Sequence, residues 1–168
     1  DCTIYLAFGC GGCAYYGYLP ENDVMLTAIN RTALVAYSAQ QMFDLVNDVA
    51  CYPEYMKNCV GAKILKQDKS FMLARLDLKK GFLQQSFTTH NTLYEPERIS
   101  MTLDEGPFSK FLGEWSFKAL NEDACKVSLD LEFEFNNFSV SLASNQLFTL
   151  VANNLVDALA CRAKEVYG

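Results

Sequence analysis

The chain has 168 residues, 51% of them hydrophobic and 20% charged, which suits one domain with a real core and excludes a disordered chain. Its net charge of −6 excludes a general electrostatic grip on DNA and leaves only local basic patches for any nucleic-acid contact. No run of about 20 apolar residues marks a membrane-spanning helix.

Residues 1–24 differ in composition from the rest of the chain, with four Gly, three Cys, four Tyr and no Lys or Arg. A secretory leader needs a basic start and a small-residue cleavage site, and this segment has neither. It reads as an N-terminal extension upstream of a natural start at Met25, with the domain proper over residues 25–168. The seven cysteines are an odd, scattered set, which suits reduced thiols in a cytoplasmic protein better than a disulfide framework. Cys10 and Cys13 stand at a motif spacing, but a metal centre would need two further ligands. The single histidine, His90, sits far along the chain in a strand-like run, so no metal site is expected.

From Thr27 to Tyr37 the β-branched and small apolar residues predict a first strand. Ser38-Ala39-Gln40-Gln41 is a capping box, and Met42, Leu45, Val46 and Val49 follow at helical spacing. Asn47-Asp48 can cap a second short helix that stops around Pro53. Cys59 to Gln67 and Ser70 to Lys79 predict two strands joined by a tight turn at Asp68-Lys69. Phe82 to Tyr94 and Arg98 to Leu103 predict two more, turned by Glu95-Pro96-Glu97. Gly106-Pro107 breaks the pattern before a strand over Gly113 to Leu120.

Cys125 to Phe135 alternates, with Val127, Leu129, Leu131, Phe133 and Phe135 on one face and Ser128, Asp130, Glu132 and Glu134 on the other, as in an antiparallel strand with one wet face. After Asn137 the period changes from 2 to 3.6, and one long helix is predicted from about Phe138 to Tyr167. Strands grouped ahead of a long helix indicate an α+β fold, a seven-stranded antiparallel sheet curved around that helix.

This order is that of the helix-grip fold, and particular segments narrow the resemblance. Arg31-Thr32-Ala33-Leu34-Val35, Leu45-Val46-Asn47-Asp48-Val49, Tyr52-Pro53, Gly106-Pro107-Phe108, Trp115-Ser116-Phe117 and Arg162-Ala163-Lys164-Glu165-Val166-Tyr167 resemble the coenzyme Q-binding START-like family, in particular its bacterial branch of ribosome-association toxins. The resemblance runs from about Ile29 to Tyr167. It implies non-enzymatic binding of ubiquinone or a similar isoprenoid lipid between sheet and long helix, in support of respiratory electron transport. No cofactor is implied beyond that ligand. It also implies, as an alternative, binding to the large (50S) ribosomal subunit that blocks its association with the small one. Some relatives of this fold are polyketide cyclases, which keeps an enzyme as a third reading.

Met101, Trp115, Phe117, Phe148, Val151 and Leu155 are the expected apolar lining, although ordinary core uses the same residue types. Phe108 and Phe111, with Leu112, read as a loop: a lid over the cavity mouth, a tip touching a membrane surface, or a loop folded onto the sheet. The strand over Phe82 to Tyr94 is polar on both faces, with Gln84, Ser86, Thr88, His90 and Thr92 on one and Gln85, Thr89 and Asn91 on the other. A quinone headgroup could use donors there, His90 among them; the plainer alternative puts one row in solvent and the other at the rim.

For catalysis the residues offer little: no nucleophile and base in a suggestive order, and one histidine. Asp48, Asp77, Asp104 and Glu114 read as surface carboxylates, Asp48 as a helix cap and Asp104 as a turn residue. For a ribosome contact the candidates are Lys79, Lys80 and Lys110, from a wider basic set of Lys57, Lys63, Lys66, Lys69, Arg162 and Lys164. The location expected is cytoplasmic, peripheral to the inner membrane when a lipid surface is touched.

Overall fold

A computed structural model describes residues 26–136 and 138–168, with the side chains of 138–141 left aside. Met25, residues 1–24 and the Cys10–Cys13 pair lie outside the described residues.

The first strand, β1, spans Thr27–Val35 and stops two residues short of the predicted end. Ser38 then caps α1 (Ala39–Asn47) by accepting the Gln41 amide at 3.2 Å, while the Gln41 side-chain oxygen accepts the Ser38 amide at 2.9 Å. Met42, Phe43, Leu45 and Val46 form the buried face of this helix.

A 3-10 turn at Val49–Cys51 leads into α2 (Tyr52–Tyr55). Pro53 was expected to stop this helix, but it stands in the first turn, where its missing N–H removes no bond. Asp48 occupies the position before the 3-10 turn without a side-chain capping bond, contrary to its reading as a cap.

Strands β2 (Cys59–Gln67), β3 (Phe71–Lys80), β4 (Leu83–Tyr94), β5 (Arg98–Glu105), β6 (Phe108–Asn121) and β7 (Ala124–Phe135) come next, then α3 (Phe138–Tyr167). All pairings are antiparallel, in the order β1-β7-β6-β5-β4-β3-β2, so the sheet is the seven-stranded one expected.

The helix α3 lies along the inner face of this sheet. Asn145 of α3 donates to the Thr27 hydroxyl at 2.7 Å, and Asp157 pairs with Arg31 at 3.7 Å, which fixes the helix against β1. At its other end Arg162 reaches Glu54 of α2 at 2.8 Å. The alternating face of β7 is the floor of the core: Val127, Leu129, Leu131, Phe133 and Phe135 are all buried.

Two local departures matter for the site. The segment expected as a loop at Phe108–Leu112 is the start of β6. A bulge between Phe108 and Lys110 places one extra residue, Ser109, in the strand, so Phe108 and Phe111 both turn inward although three positions apart. They therefore form neither a lid nor a membrane-touching tip; burying two phenyl rings wins over looping out. Asp104 likewise lies within β5 rather than in a turn.

Candidate functional site

Between α3 and the inner face of the sheet is a cavity of about 70 Å³. The two short helices close one side with Val46, Asn47, Val49, Tyr52 and Met56. Strands β3 to β7 supply the floor, and Phe148, Val151, Ala152 and Leu155 of α3 supply the roof. Five residues of the expected apolar lining meet here, Met101, Trp115, Phe148, Val151 and Leu155, and Phe111, the candidate read as a loop residue, joins them.

Three expected site residues stand elsewhere. Phe117 stacks behind Trp115 at 6.4 Å between ring centroids and meets Phe43 of α1 at 5.7 Å, so it is core rather than lining. Phe108 sits behind Phe111 in a cluster with Phe87, Phe133, Phe135 and Phe148, whose rings are 4.5 to 6.1 Å from its own. That cluster plugs the end of the cavity nearest the start of α3. His90 is on the outer face of the sheet, stacked on Phe71 at 5.2 Å, because residues of even number in the middle of β4 point outward.

The inner row of β4 is therefore Gln85, Phe87, Thr89 and Asn91. Gln85 donates to the Ser144 hydroxyl of α3 at 2.8 Å and so ties sheet to helix. Thr89 and Asn91 are buried and line the cavity. The Thr89 hydroxyl donates to the Asn91 side-chain oxygen at 2.8 Å, and no acceptor among the described residues takes the Asn91 amide N–H groups. In a largely apolar wall this places a hydrogen-bond donor at the cavity surface.

Among the described residues, Tyr52 is the one titratable side chain lining the cavity. Its hydroxyl donates to the Val46 carbonyl at 2.5 Å, and burial pushes the phenol well above its usual range, so it stays protonated at neutral pH. Gly113 makes room in the floor: a Cβ there would fall 2.5 Å from the Met101 methyl and 2.8 Å from a Leu131 methyl. Sequence reasoning named Thr89 and Asn91 as one of the two polar rows of β4 but singled out His90 from the other, and it missed Asn47, Tyr52 and Met56 from the short helices. The signal for the inner row was the polarity of both faces of β4, which a solvent row alone would not require.

On the outside, Lys79 and Lys80 are exposed at the end of β3. Lys110 is held by Glu132 at 2.9 Å, which makes it a poorer phosphate ligand than expected. Residues 59–94 carry six Lys or Arg against two Asp, whereas the rest of the chain carries eight against eighteen Asp or Glu. The β2–β4 side is therefore the basic side of an acidic protein. No helix among the described residues is long and apolar enough to cross a membrane.

Known proteins bear on this arrangement in two ways. Residues 35–160 match the family described as polyketide cyclase / dehydrase and lipid transport. The chain is 43% identical over 145 residues to the ribosome association toxin RatA of Escherichia coli K12, covering 86% of this chain and 92% of that protein. With the protein of the same name from Pseudomonas aeruginosa it shares 46% over 144 residues, 86% of this chain and 100% of the relative. A mitochondrial coenzyme Q-binding protein COQ10 of Drosophila melanogaster is 29% identical over 134 residues, 76% of this chain and 54% of that one.

Among solved structures, the Zhui aromatase/cyclase of Streptomyces sp. R1128 superposes with a TM-score of 0.71 at 18% identity, over 86% of this chain and 97% of that one. A START superfamily protein from Mycobacterium smegmatis gives 0.69 at 24%, over 83% and 98%. At those identities the superpositions speak for the helix grip alone. The sequence matches go further: this chain is a member of the polyketide cyclase / dehydrase and lipid transport family, with START-like architecture and with RatA-named toxins among its relatives.

Proposed function

We propose that the protein binds, without chemical turnover, an isoprenoid quinone such as ubiquinone or a similar apolar molecule carrying a hydrogen-bond acceptor, in support of respiratory electron transport. The observation that carries this reading is the Thr89–Asn91 pair, a donor exposed to a largely apolar cavity. The coenzyme Q-binding name of one relative supports it. The protonated Tyr52 supports a binder over an enzyme, because the lining then offers no general base at neutral pH.

The size of the cavity defines how binding proceeds. At about 70 Å³ it is below the roughly 150 Å³ that accommodates one benzene ring. A quinone is therefore accommodated only as lining side chains move aside. Met56, Met101 and Leu155 are suited to that, since unbranched and γ-branched chains change rotamer at low cost.

Native mass spectrometry of protein purified from cells, followed by titration with short-chain ubiquinone, tests the reading. A co-purifying isoprenoid and a saturable titration that Val151→Trp abolishes are expected. Absence of both, with the wild-type protein folded, overturns it.

A second reading is association with the large ribosomal subunit, favoured by the names of the 43–46% identical relatives and by the basic β2–β4 side. Its binding would weaken steeply with salt through counterion release. Sucrose gradients with purified subunits decide it: if a large excess of protein leaves 70S formation unchanged, this reading fails.

A further inference from the structure

Strands β3 and β4 meet in a two-residue turn whose first residue, Gly81, has φ +60°. That turn puts Phe82 at the apex, fully exposed, with the exposed Lys79 and Lys80 on the strand that leads into it. A single exposed phenylalanine needs no explanation. Two features make this one different.

The first is the acid count. Asp77 is the only acidic residue on β3 and β4, and it is occupied by Ser86 and by Arg75, the latter at 3.1 Å. The second is position: Leu78 and Phe87, cavity-lining residues of the same hairpin, stand on the two strands that run directly into the tip.

We propose that the hairpin tip Lys79–Lys80–Gly81–Phe82 docks the protein on an anionic lipid bilayer. The aromatic side chain enters the boundary of the acyl chains while two ammonium groups meet lipid phosphates. The inference rests on the ligand-binding reading above, since a bilayer is where such a ligand resides.

Flotation of the full chain with vesicles tests it. Vesicles of phosphatidylethanolamine and phosphatidylglycerol are compared with vesicles of phosphatidylcholine alone. Wild-type protein floats with the anionic vesicles and much less with the neutral ones. Phe82→Ser weakens this binding about tenfold, and Lys79→Ala and Lys80→Ala weaken it about fivefold each. Circular dichroism and melting stay unchanged, because all three side chains are exposed.

The proposal is overturned if wild-type protein does not float with anionic vesicles, or if Phe82→Ser floats as wild type does. Loss confined to the lysine variants overturns it too, and assigns the pair to the phosphates of another polyanion such as RNA. Titration with short-chain ubiquinone in the absence of vesicles separates the two layers. Quinone binding without flotation removes the docking tip and leaves the cavity reading; flotation lost in Phe82→Ser, without quinone binding, does the reverse.

Discussion

Thr89 donates its hydroxyl to the side-chain oxygen of Asn91 at 2.8 Å, two residues along the same inner row of β4, in the middle of an apolar cavity wall. Buried polar groups are normally satisfied, since an unsatisfied one costs about 1–3 kcal/mol. Here the one bond occupies the amide oxygen and leaves the N–H groups facing the cavity without a protein acceptor among the described residues. Under the binding proposal they select a ligand that accepts a hydrogen bond.

This predicts a particular pattern in a double-mutant cycle. Asn91→Leu removes the acceptor of the Thr89 hydroxyl and destabilises by about 1–2 kcal/mol in urea unfolding. Adding Thr89→Val to it restores most of that loss, because both polar partners are then gone. Quinone affinity falls in both the single and the double variant. Equal stability for the Asn91→Leu single and the wild type would show that the bond does not hold the pair.

Gly113 and Met101 make a second coupled pair. The missing Cβ at Gly113 leaves the space that the Met101 methyl fills, so Gly113→Ala drives Met101 toward the cavity. The expected cost is about 1–3 kcal/mol, the usual range for overpacking. Met101→Ala in the same chain relieves the crowding, and the double variant is more stable than the two single losses added together. Thermal melts of the four proteins supply the coupling energy.

How much of this was legible in the sequence depends on the physical scale involved. The strict alternation of β7 and the capping box at Ser38 are local patterns, and both stand where the periodicity placed them. The bulge at Ser109 is different. A single inserted residue reverses which side chains face inward, and nothing in Phe108–Leu112 alone distinguishes a bulged strand from a loop. His90 shows the same limit, since two polar rows of one strand look alike until the sheet is closed on a helix. The walls supplied by Asn47, Tyr52 and Met56 arise from docking of the short helices, a tertiary event with no signature in their own spacing.

The β2–β3 turn should be the first part of the sheet to loosen in acid. The Asp68 carboxylate accepts from the Ser70 amide, the Ser70 hydroxyl and the Phe71 amide at 2.6, 2.8 and 3.0 Å. These bonds, led by the Ser70 amide, hold its pKa below the usual carboxylate value. A depressed folded pKa means that the contribution is present above the unfolded value and is lost as pH falls through the folded one. Amide exchange at Ser70 and Phe71 should therefore accelerate selectively below about pH 4, beyond the intrinsic pH dependence of exchange. Asp68→Asn should abolish that extra acceleration; if the variant retains it, another group controls the turn.

The C-terminal end of α3 offers a substitution that should stabilise the protein. Arg162 lies over the Tyr55 ring at 5.3 Å and bonds Glu54 at 2.8 Å, which closes α2 under the helix. Beneath that closure the Tyr55 hydroxyl is buried with no hydrogen-bond partner, and burial pushes its pKa well above the usual phenol range. An unpaired buried hydroxyl costs about 1–3 kcal/mol relative to water. Tyr55→Phe removes it while keeping the ring, so the stacking with Arg162 and the edge contact with Tyr52 at 6.0 Å persist. The variant should unfold at a higher urea concentration by roughly 1 kcal/mol, whereas Tyr55→Ala should lose stability through the vacated space. A destabilised Tyr55→Phe would mean that the hydroxyl is bonded in solution, to a water held between α2 and α3.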